Sequence, residues 1–281
     1  MTNDFVFTTT RNDKLRITTF GIERIGSVPC IILVHGFKGF KDWGFGPHTG
    51  KFLSENGFFV LTFNFSHNGI GESSTEFTEL DRFAENTFSL EISELSQIID
   101  AYSGGFFGKI ENRKLGLIGH SRGGAISLLT SAQKKEVNSV VVWASVSNLD
   151  RYSKRQKENW RKKGVFEVMN SRTKQVMRLN LSLLEDIEKN KNDLLNIQKA
   201  VENIKRPLMI IHGEQDLAVP IKEAEQIFEW SEKSLSKILK IPATGHTFDA
   251  QHPFNGSNPK LDLVLSNTVD FFKENLLQEQ L

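Results

Sequence analysis

Three residues of this chain have the types, order and surroundings of a nucleophile with its base and its acid. Ser121 stands in a Gly-His-Ser-Arg-Gly motif at 119–123, and Asp216 and His246 each follow an apolar run further along the chain. A serine hydroxyl is a weak nucleophile at neutral pH, so it needs a histidine to take its proton and an acid to orient that histidine. We therefore predict attack of Ser121 on an acyl group, with His246 as base and Asp216 as acid.

The elements around Ser121 make the motif specific. An apolar run at 114–118 is typical of a strand, and the small and apolar residues at 125–129 are typical of the start of a helix. Gly-x-Ser-x-Gly between a strand and a helix is the pattern of a nucleophile elbow, in which glycines let the two elements approach closely. Without those elements the five-residue motif would be weak evidence, since it recurs by chance.

Acyl transfer also needs two backbone N–H donors that hold the developing oxyanion. One comes from the residue after the nucleophile, and the other from an early loop between a strand and a helix. Arg122 is the first of these residues. An apolar run at 30–34 ends in His35-Gly36-Phe37, which supplies the loop, and we predict the N–H of Phe37 as the second donor.

Two rivals exist for the base and the acid. His252 stands six residues after His246, but it precedes a proline, which restricts its backbone. Asp150 follows the predicted strand before the one that ends near Asp216. Their positions favour His246 and Asp216.

The order of Ser121, Asp216 and His246 resembles that of the α/β-hydrolase superfamily, and the resemblance extends from the strand at Cys30 to the helix after His246. Within the superfamily, Gly-Phe-Lys-Gly-Phe-Lys-Asp-Trp-Gly at 36–44 and Gly-His-Thr-Phe at 245–248 look like the dienelactone-hydrolase-like and prolyl-oligopeptidase-like serine esterases. The resemblance implies an α/β-hydrolase fold: a mostly parallel, doubly wound sheet with antiparallel N-terminal strands and a helical cap insertion. Dienelactone hydrolases proper carry cysteine at the elbow, so the serine at 121 favours ester hydrolysis over that activity.

The function implied by the resemblance is that of a serine carboxylesterase, which cleaves small to medium acyl or aryl esters, including cinnamoyl-type ones, through an acyl-enzyme. Two alternatives stay open, because fold alone does not determine function. One is a peptidase or amidase of the prolyl-oligopeptidase-related type, and the other is a non-catalytic receptor or scaffold. The expected partner is a small-molecule ester, and a homo-oligomer is left open.

Alternating strands and helices divide the chain into a core and an insertion. A hairpin is predicted around Asn12-Asp13, with later strands at 30–34, 58–63 and 140–143 and a helix over 84–102. We assign residues 1–147 and 207–281 to the α/β-hydrolase core. Residues 148–206 are too long for an ordinary connection, and we assign them to a helical cap or lid.

The insertion shows two apolar stripes at helical spacing. They predict two amphipathic helices, with an earlier one near Trp160; the stripes are Val176, Leu179, Leu183 and Ile187, then Leu194, Ile197, Val201 and Ile204. Residues 151–178 hold ten Lys or Arg against two acids. This run is either a solvated helix face or a basic gate that attracts carboxylate-bearing esters or anionic lipid. Four residues are predicted to bind substrate: Gly36, His120, His67 and Trp160.

Composition restricts the remaining classes. The formal net charge of +1 provides no argument for nucleic acid, and no apolar run is long enough to span a membrane. The N-terminus has no secretory pattern and Cys30 is the single cysteine, so a cytoplasmic location is expected. The seven histidines are scattered without a His-x-x-x-His pair, so neither metal nor cofactor is predicted.

Overall fold

Eight strands form one mixed sheet in the computed structural model, which describes residues 1–277. The strands of the chain are β1 (Thr2–Thr8), β2 (Lys14–Phe20), β3 (Cys30–Val34), β4 (Phe59–Phe63), β5 (Leu115–His120), β6 (Val137–Trp143), β7 (Val165–Met169), β8 (Val176–Asn180), β9 (Leu208–Gly213) and β10 (Ser236–Ile241). Strands β7 and β8 form a separate hairpin. The order in the large sheet is β1-β2-β4-β3-β5-β6-β9-β10.

The sheet is antiparallel at one edge and parallel elsewhere. Strands β1, β2 and β4 pair antiparallel, and every pairing from β4 to β10 is parallel. The central strands β3 and β4 are buried at every residue, as parallel strands covered on both faces should be. This arrangement confirms the predicted α/β-hydrolase fold.

Helices cover both faces of the sheet. They are α1 (Gly46–Glu55), α2 (Leu80–Ala84), α3 (Phe88–Ser103), α4 (Arg122–Ser131), α5 (Lys154–Lys163), α6 (Leu181–Asn190), α7 (Ile197–Asn203), α8 (Ile221–Trp230) and α9 (Pro259–Phe272). Alternate β3 residues face different layers: Ile32 packs in the layer of α3, α4 and α8, and Ile31 in that of α1 and α9. Among the described helices, none is both long enough and apolar enough to cross a membrane.

The insertion contains a β-hairpin as well as helices. Helix α5 carries Trp160 and α7 covers part of the second predicted stripe, but the first stripe is split. Residues 176–180 form β8, which pairs with β7, and the helix begins only at Leu181. The prediction of one helix over 176–187 was wrong because Met177 and Leu179 are buried at the period of two of a strand.

Candidate active site

Ser121 lies at the turn between β5 and α4, with the backbone that an elbow requires. Its φ is 57° and its ψ is −121°, a left-handed conformation that L residues rarely adopt. A Cβ at Gly119 would lie 2.3 Å from the carbonyl oxygen of Gly123, and one at Gly123 would lie 2.4 Å from that of Val34. Both glycines are therefore required by contact between strand and helix.

The structure brings the three predicted side chains together. The Nε2 atom of His246 lies 3.0 Å from the Oγ atom of Ser121, and its Nδ1 atom lies 2.7 Å from the Oδ2 atom of Asp216. The carboxylate only accepts, so Nδ1 carries the proton and donates it to Asp216. This tautomer leaves Nε2 free to accept the proton of the serine hydroxyl.

Asp216 is held as an ionised acceptor. Its side chain is fully buried, and its Oδ1 atom accepts from the N–H groups of Ala218 and Val219, each at 2.8 Å. Burial by itself raises the pKa of Asp216, but hydrogen bonds from His212, His246 and Val219 outweigh it and hold the pKa well below its usual range. The acid therefore stays charged beside His246.

His212 supports Asp216 from the end of β9. Its ring is fully buried, and its Nε2 atom lies 2.8 Å from the carbonyl oxygen of Val219 and 3.3 Å from the Oδ2 atom of Asp216. Both neighbours accept, so Nε2 carries a proton and donates it. His212 thus links Asp216 to the loop that carries Val219.

The rival base and acid lie elsewhere. His252 accepts from the N–H of Gly44 through Nδ1 at 3.0 Å, and its ring stacks on Trp43. Asp150 pairs with Lys157 at 2.5 Å. Neither residue is a hydrogen-bond partner of Ser121 or His246 within residues 1–277.

The two predicted oxyanion donors flank Ser121. Arg122 is the first residue of α4, so its N–H has no partner within the helix. The loop that carries Phe37 presses against the elbow: a Cβ at Gly36 would lie 2.9 Å from the Cβ of Ser121. Neither N–H has an acceptor among the described residues, and both residues line the cavity that contains Ser121.

The Arg122 side chain links these two donors to the interior. Its guanidinium lies over the Phe37 ring at 4.7 Å and pairs with Glu91 at 2.7 Å. Only 1 % of the Glu91 side chain is exposed, and its burial raises the pKa of the carboxyl group, although Arg122 and Asn86 oppose the shift. A buried ion pair on α3 and α4 therefore sets the position of the Phe37 ring.

We expect Glu91→Gln to lower the free energy of unfolding by about 3–5 kcal/mol, because it leaves the Arg122 guanidinium buried without its counter-charge. Urea unfolding of the wild type and of Glu91→Gln measures this change in free energy. Glu111→Gln is the matched control, since Glu111 is 68 % exposed in its pair with Lys109 and should change stability by less than about 1 kcal/mol. Equal losses in the two variants would contradict a stabilising pair.

A cavity of about 550 Å³ opens around Ser121. Two of the four predicted substrate-binding residues, Gly36 and His120, line it. The Nε2 atom of His120 lies 2.9 Å from the carbonyl oxygen of His246. Burial and the nearby His246 lower the pKa of His120 to about 3, so its ring is neutral and donates to that carbonyl. His120 thereby ties the loop of the base to the end of β5.

His67 and Trp160 do not line this cavity, in contrast to the prediction. Trp160, the one buried residue of α5, packs on Tyr152 and Phe166. His67 lies four residues after the end of β4, and its Nδ1 atom is 2.6 Å from the Oγ atom of Ser66. Local sequence patterns contain no signal for these directions, which depend on packing.

One cluster could offer metal-ligating atoms. Atoms of Asp13, His67 and Glu94 lie within 4.8 Å of one another. Arg82 donates to Asp13 at 2.7 Å, and Ser66 donates its backbone N–H to Glu94 at 3.0 Å. Both carboxylates thus take part in a hydrogen-bonded network.

Sequence reasoning missed several cavity residues from the insertion. Tyr152, Asn170 and Arg172 line the cavity, and their sequence neighbourhoods show no recognisable motif. The turn between β7 and β8 carries the last two. The only available signal was the basic composition of residues 151–178.

Solved structures share the fold over nearly the whole chain. The α/β hydrolase GrgF from Penicillium is 18% identical, with a TM-score of 0.74, over 99% of this chain and 100% of that one. Est1E from Butyrivibrio proteoclasticus, solved with ferulic acid, is 18% identical, with a TM-score of 0.75, over 98% of this chain and 100% of Est1E. A dienelactone hydrolase from Anabaena variabilis is 16% identical, with a TM-score of 0.60, over 98% of this chain and 99% of that protein.

Sequence comparison identifies the family. The chain is 28% identical over 149 residues to the uncharacterized peptidase YuxL of Bacillus subtilis, a match that covers 51% of this chain and 20% of that protein. The chain thus matches about a fifth of the length of this curated relative. The model of the prolyl oligopeptidase family matches residues 43–278, a range that includes Ser121, Asp216 and His246. On this match, the chain belongs to the prolyl oligopeptidase family.

Proposed function

We propose that the protein is a serine carboxylesterase in which Ser121, His246 and Asp216 form the catalytic triad. The observation that carries the proposal is a pair of linked hydrogen bonds. Ser121 Oγ lies 3.0 Å from His246 Nε2, and His246 Nδ1 lies 2.7 Å from Asp216 Oδ2. This pair of bonds lies in a cavity beside the N–H groups of Phe37 and Arg122, which have no acceptor in the part of the chain that the structure describes. Hydrolase chemistry agrees with the family and with the fold.

The first step forms an acyl-enzyme. His246 Nε2 takes the Ser121 proton while Oγ attacks the carbonyl carbon, and the resulting oxyanion accepts from the N–H groups of Phe37 and Arg122. The positive end of α4 adds to this stabilisation. The tetrahedral intermediate then expels the alcohol, which receives the proton from His246. Asp216 stays ionised and stabilises the imidazolium in between.

The second step releases the acid. Water gives a proton to His246 Nε2 and attacks the ester carbon of acylated Ser121, and the same two N–H groups hold the second oxyanion. Collapse breaks the bond to Oγ, which recovers the proton from His246. The carboxylic acid leaves and the serine is restored.

The cavity walls support acyl or aryl esters. Aromatic side chains form much of the lining: Phe37, Phe40, Trp43, Phe45, Phe88 and Tyr152. A volume of about 550 Å³ is in the range of small-molecule pockets. The ferulic acid in Est1E, an aromatic acid, is consistent with such a lining. Peptide or amide cleavage is the second candidate, and the family match favours it.

We also propose that residues 148–206 act as a cap over a core of residues 1–147 and 207–281. Residues from the start of the insertion and from the β7–β8 turn line the cavity that contains Ser121. The elements of the core supply the serine, the base and the acid. The insertion therefore contributes to substrate selection and not to the reacting groups.

A fluorophosphonate probe and a set of substrates test the proposal. The probe should label Ser121, as located by peptide mass spectrometry, and labelling should fail in Ser121→Ala. 4-Nitrophenyl esters of increasing acyl length should then be cleaved faster than an aminoacyl 4-nitroanilide. Faster anilide cleavage would favour the peptidase, and absence of both labelling and turnover would favour the scaffold.

A further inference from the structure

The cavity around Ser121 is lined by cations without a facing acid. Among its lining residues are five Lys or Arg, namely Lys38, Lys41, Arg122, Arg151 and Arg172. No Asp or Glu belongs to the lining formed by the described residues. A cavity walled by one sign of charge attracts ligands of the opposite sign.

Three of these cations are neutralised by acids that lie behind the wall. Lys41 pairs with Asp42 at 2.7 Å, and Arg122 pairs with Glu91 at 2.7 Å. Arg151 pairs with Glu223 at 2.5 Å. These acids therefore neutralise most of the positive charge of the three cations.

Lys38 and Arg172 are different, because neither has an acidic partner in the part of the chain that the structure describes. The Lys38 ammonium donates to the carbonyl oxygen of Met169 at 3.1 Å and lies 5.4 Å from the Phe37 ring. The Arg172 guanidinium lies over the ring of Phe40 at 5.7 Å. Aromatic faces and a carbonyl position these cations without cancelling their charge.

The two cations come from distant parts of the chain, and the β7–β8 hairpin contacts one and carries the other. Met169, which accepts from Lys38, is the last residue of β7, three residues before Arg172. The turn is ordered by its own hydrogen bonds: Asn170 Oδ1 accepts from the N–H of Arg172 at 3.2 Å, and the Gln175 side chain donates to the carbonyl oxygen of Phe77 at 3.0 Å. Arg172 is thus presented by a loop that is anchored to the core.

The backbone at Lys38 provides independent support. Its φ is 55°, in the left-handed region, and it directly follows the predicted oxyanion donor Phe37. A residue other than glycine in such a conformation is strained, and residues of this kind cluster at functional sites. Half-burial also lowers the pKa of Lys38, because desolvation disfavours its charged form. A bound anion would offset that penalty.

We propose that the preferred substrates are esters that carry a carboxylate away from the scissile bond, and that Lys38 and Arg172 bind this carboxylate. The inference rests on the proposed esterase function, which supplies the reacting groups. The ester carbonyl lies against Ser121, while the carboxylate lies towards the β7–β8 turn. Lys38 and Arg172 thus determine specificity and take no part in bond cleavage.

Matched ester pairs test this inference. In one pair the acyl group differs, mono(4-nitrophenyl) adipate against 4-nitrophenyl hexanoate; in the other the alcohol differs, 4-acetoxybenzoate against phenyl acetate. The measured quantity is kcat/KM for the anionic ester divided by that for its neutral partner. We expect Lys38→Gln and Arg172→Gln each to lower this ratio roughly 10-fold for at least one pair, as loss of a hydrogen bond to a charged group does.

Arg178→Gln is the matched control, because Arg178 lies on the same hairpin, is 69 % exposed and does not line the cavity. Its ratio should equal that of the wild type. Ratios that stay unchanged in Lys38→Gln and Arg172→Gln would overturn the carboxylate site, even where both esters lose activity together. If the wild type cleaves neutral esters but the ratios do not respond, only this inference fails; if it cleaves none of the four, the esterase proposal fails.

Ionic strength provides a second readout. The Debye length falls from about 10 Å at 0.1 M salt to about 3 Å at 1 M, so attraction of a charged ester should weaken over that range. We expect kcat/KM for the anionic ester of the responsive pair to fall with salt and that of the neutral ester to stay level. The salt effect should shrink in Arg172→Gln. Equal salt responses of the two esters would contradict the proposal.

Discussion

Ser121→Ala is expected to lower kcat for ester hydrolysis by about 10⁵- to 10⁶-fold while the fold persists, as removal of the nucleophile does in other serine hydrolases. His246 Nε2 has Ser121 Oγ as its hydroxyl partner at 3.0 Å, and no other side-chain hydroxyl within residues 1–277 bonds to it. Burst kinetics with a chromogenic ester measure the loss. Circular dichroism and the urea midpoint report on the fold.

Ser127→Ala is the matched control for this variant. Ser127 lies on α4, the helix that begins just after Ser121; it is fully buried, and its hydroxyl has no hydrogen-bond partner among the described residues. Removing that hydroxyl should leave kcat close to the wild-type value. If Ser121→Ala retained substantial turnover, or lost the fluorophosphonate label without losing activity, another residue would be the nucleophile.

Asp216→Asn should lower kcat by about 10⁴-fold, because the amide imposes the wrong tautomer on His246. The backbone N–H groups of Ala218 and Val219 both donate to Oδ1, so the amide oxygen must occupy that position. The NH₂ group then replaces Oδ2 and faces His246 Nδ1, which can only accept from it. The proton moves to Nε2, where it prevents His246 from taking the serine proton.

The matched control for this substitution is Asp150→Asn, which changes the rival acid. Asp150 pairs with Lys157 and not with His246, so its variant should keep kcat within a few-fold of the wild type. Steady-state kinetics on one neutral ester compare the two variants. A larger loss of kcat in Asp150→Asn than in Asp216→Asn would identify Asp150 as the acid that orients His246.

The low pKa of Asp216 also determines what a pH profile reports. Since the folded-state pKa is depressed below the unfolded value, its contribution to stability is present above that unfolded value, near pH 4, and is lost as the pH falls through the folded pKa. The acid remains ionised over the range in which esterases are assayed. We therefore expect that a pH profile of kcat/KM measured in that range shows no limb from protonation of Asp216.

Elements with a strong local signal were predicted correctly. The strand before Ser121, the helix after it, and the strands that end near Asp216 and His246 are observed as β5, α4, β9 and β10. Close contacts with neighbouring segments require glycine at 119 and 123, so the motif alone indicates the tight turn between strand and helix. The order of the three residues along the chain identified the fold.

Predictions within the insertion were less successful. The stripe over 176–187 has helical spacing, yet its first part pairs with β7 because Met177 and Leu179 also satisfy the alternation of a strand. A short apolar pattern fits both periods, and the partner strand decides between them. His67 and Trp160 were likewise misplaced, since a residue type does not show which way its side chain points.

From the sequence alone we could name the candidate reacting groups, their order and the sheet that presents them, because each of their motifs consists of residues that are close along the chain. The charge of the cavity could be read only from the folded chain. Arg122 and Arg151 pair with Glu91 and Glu223, on helices distant in sequence, while Lys38 and Arg172 have no acidic partner within residues 1–277. Whether a cation is neutralised depends on atoms within about 4 Å in space, and separation along the chain does not predict that distance.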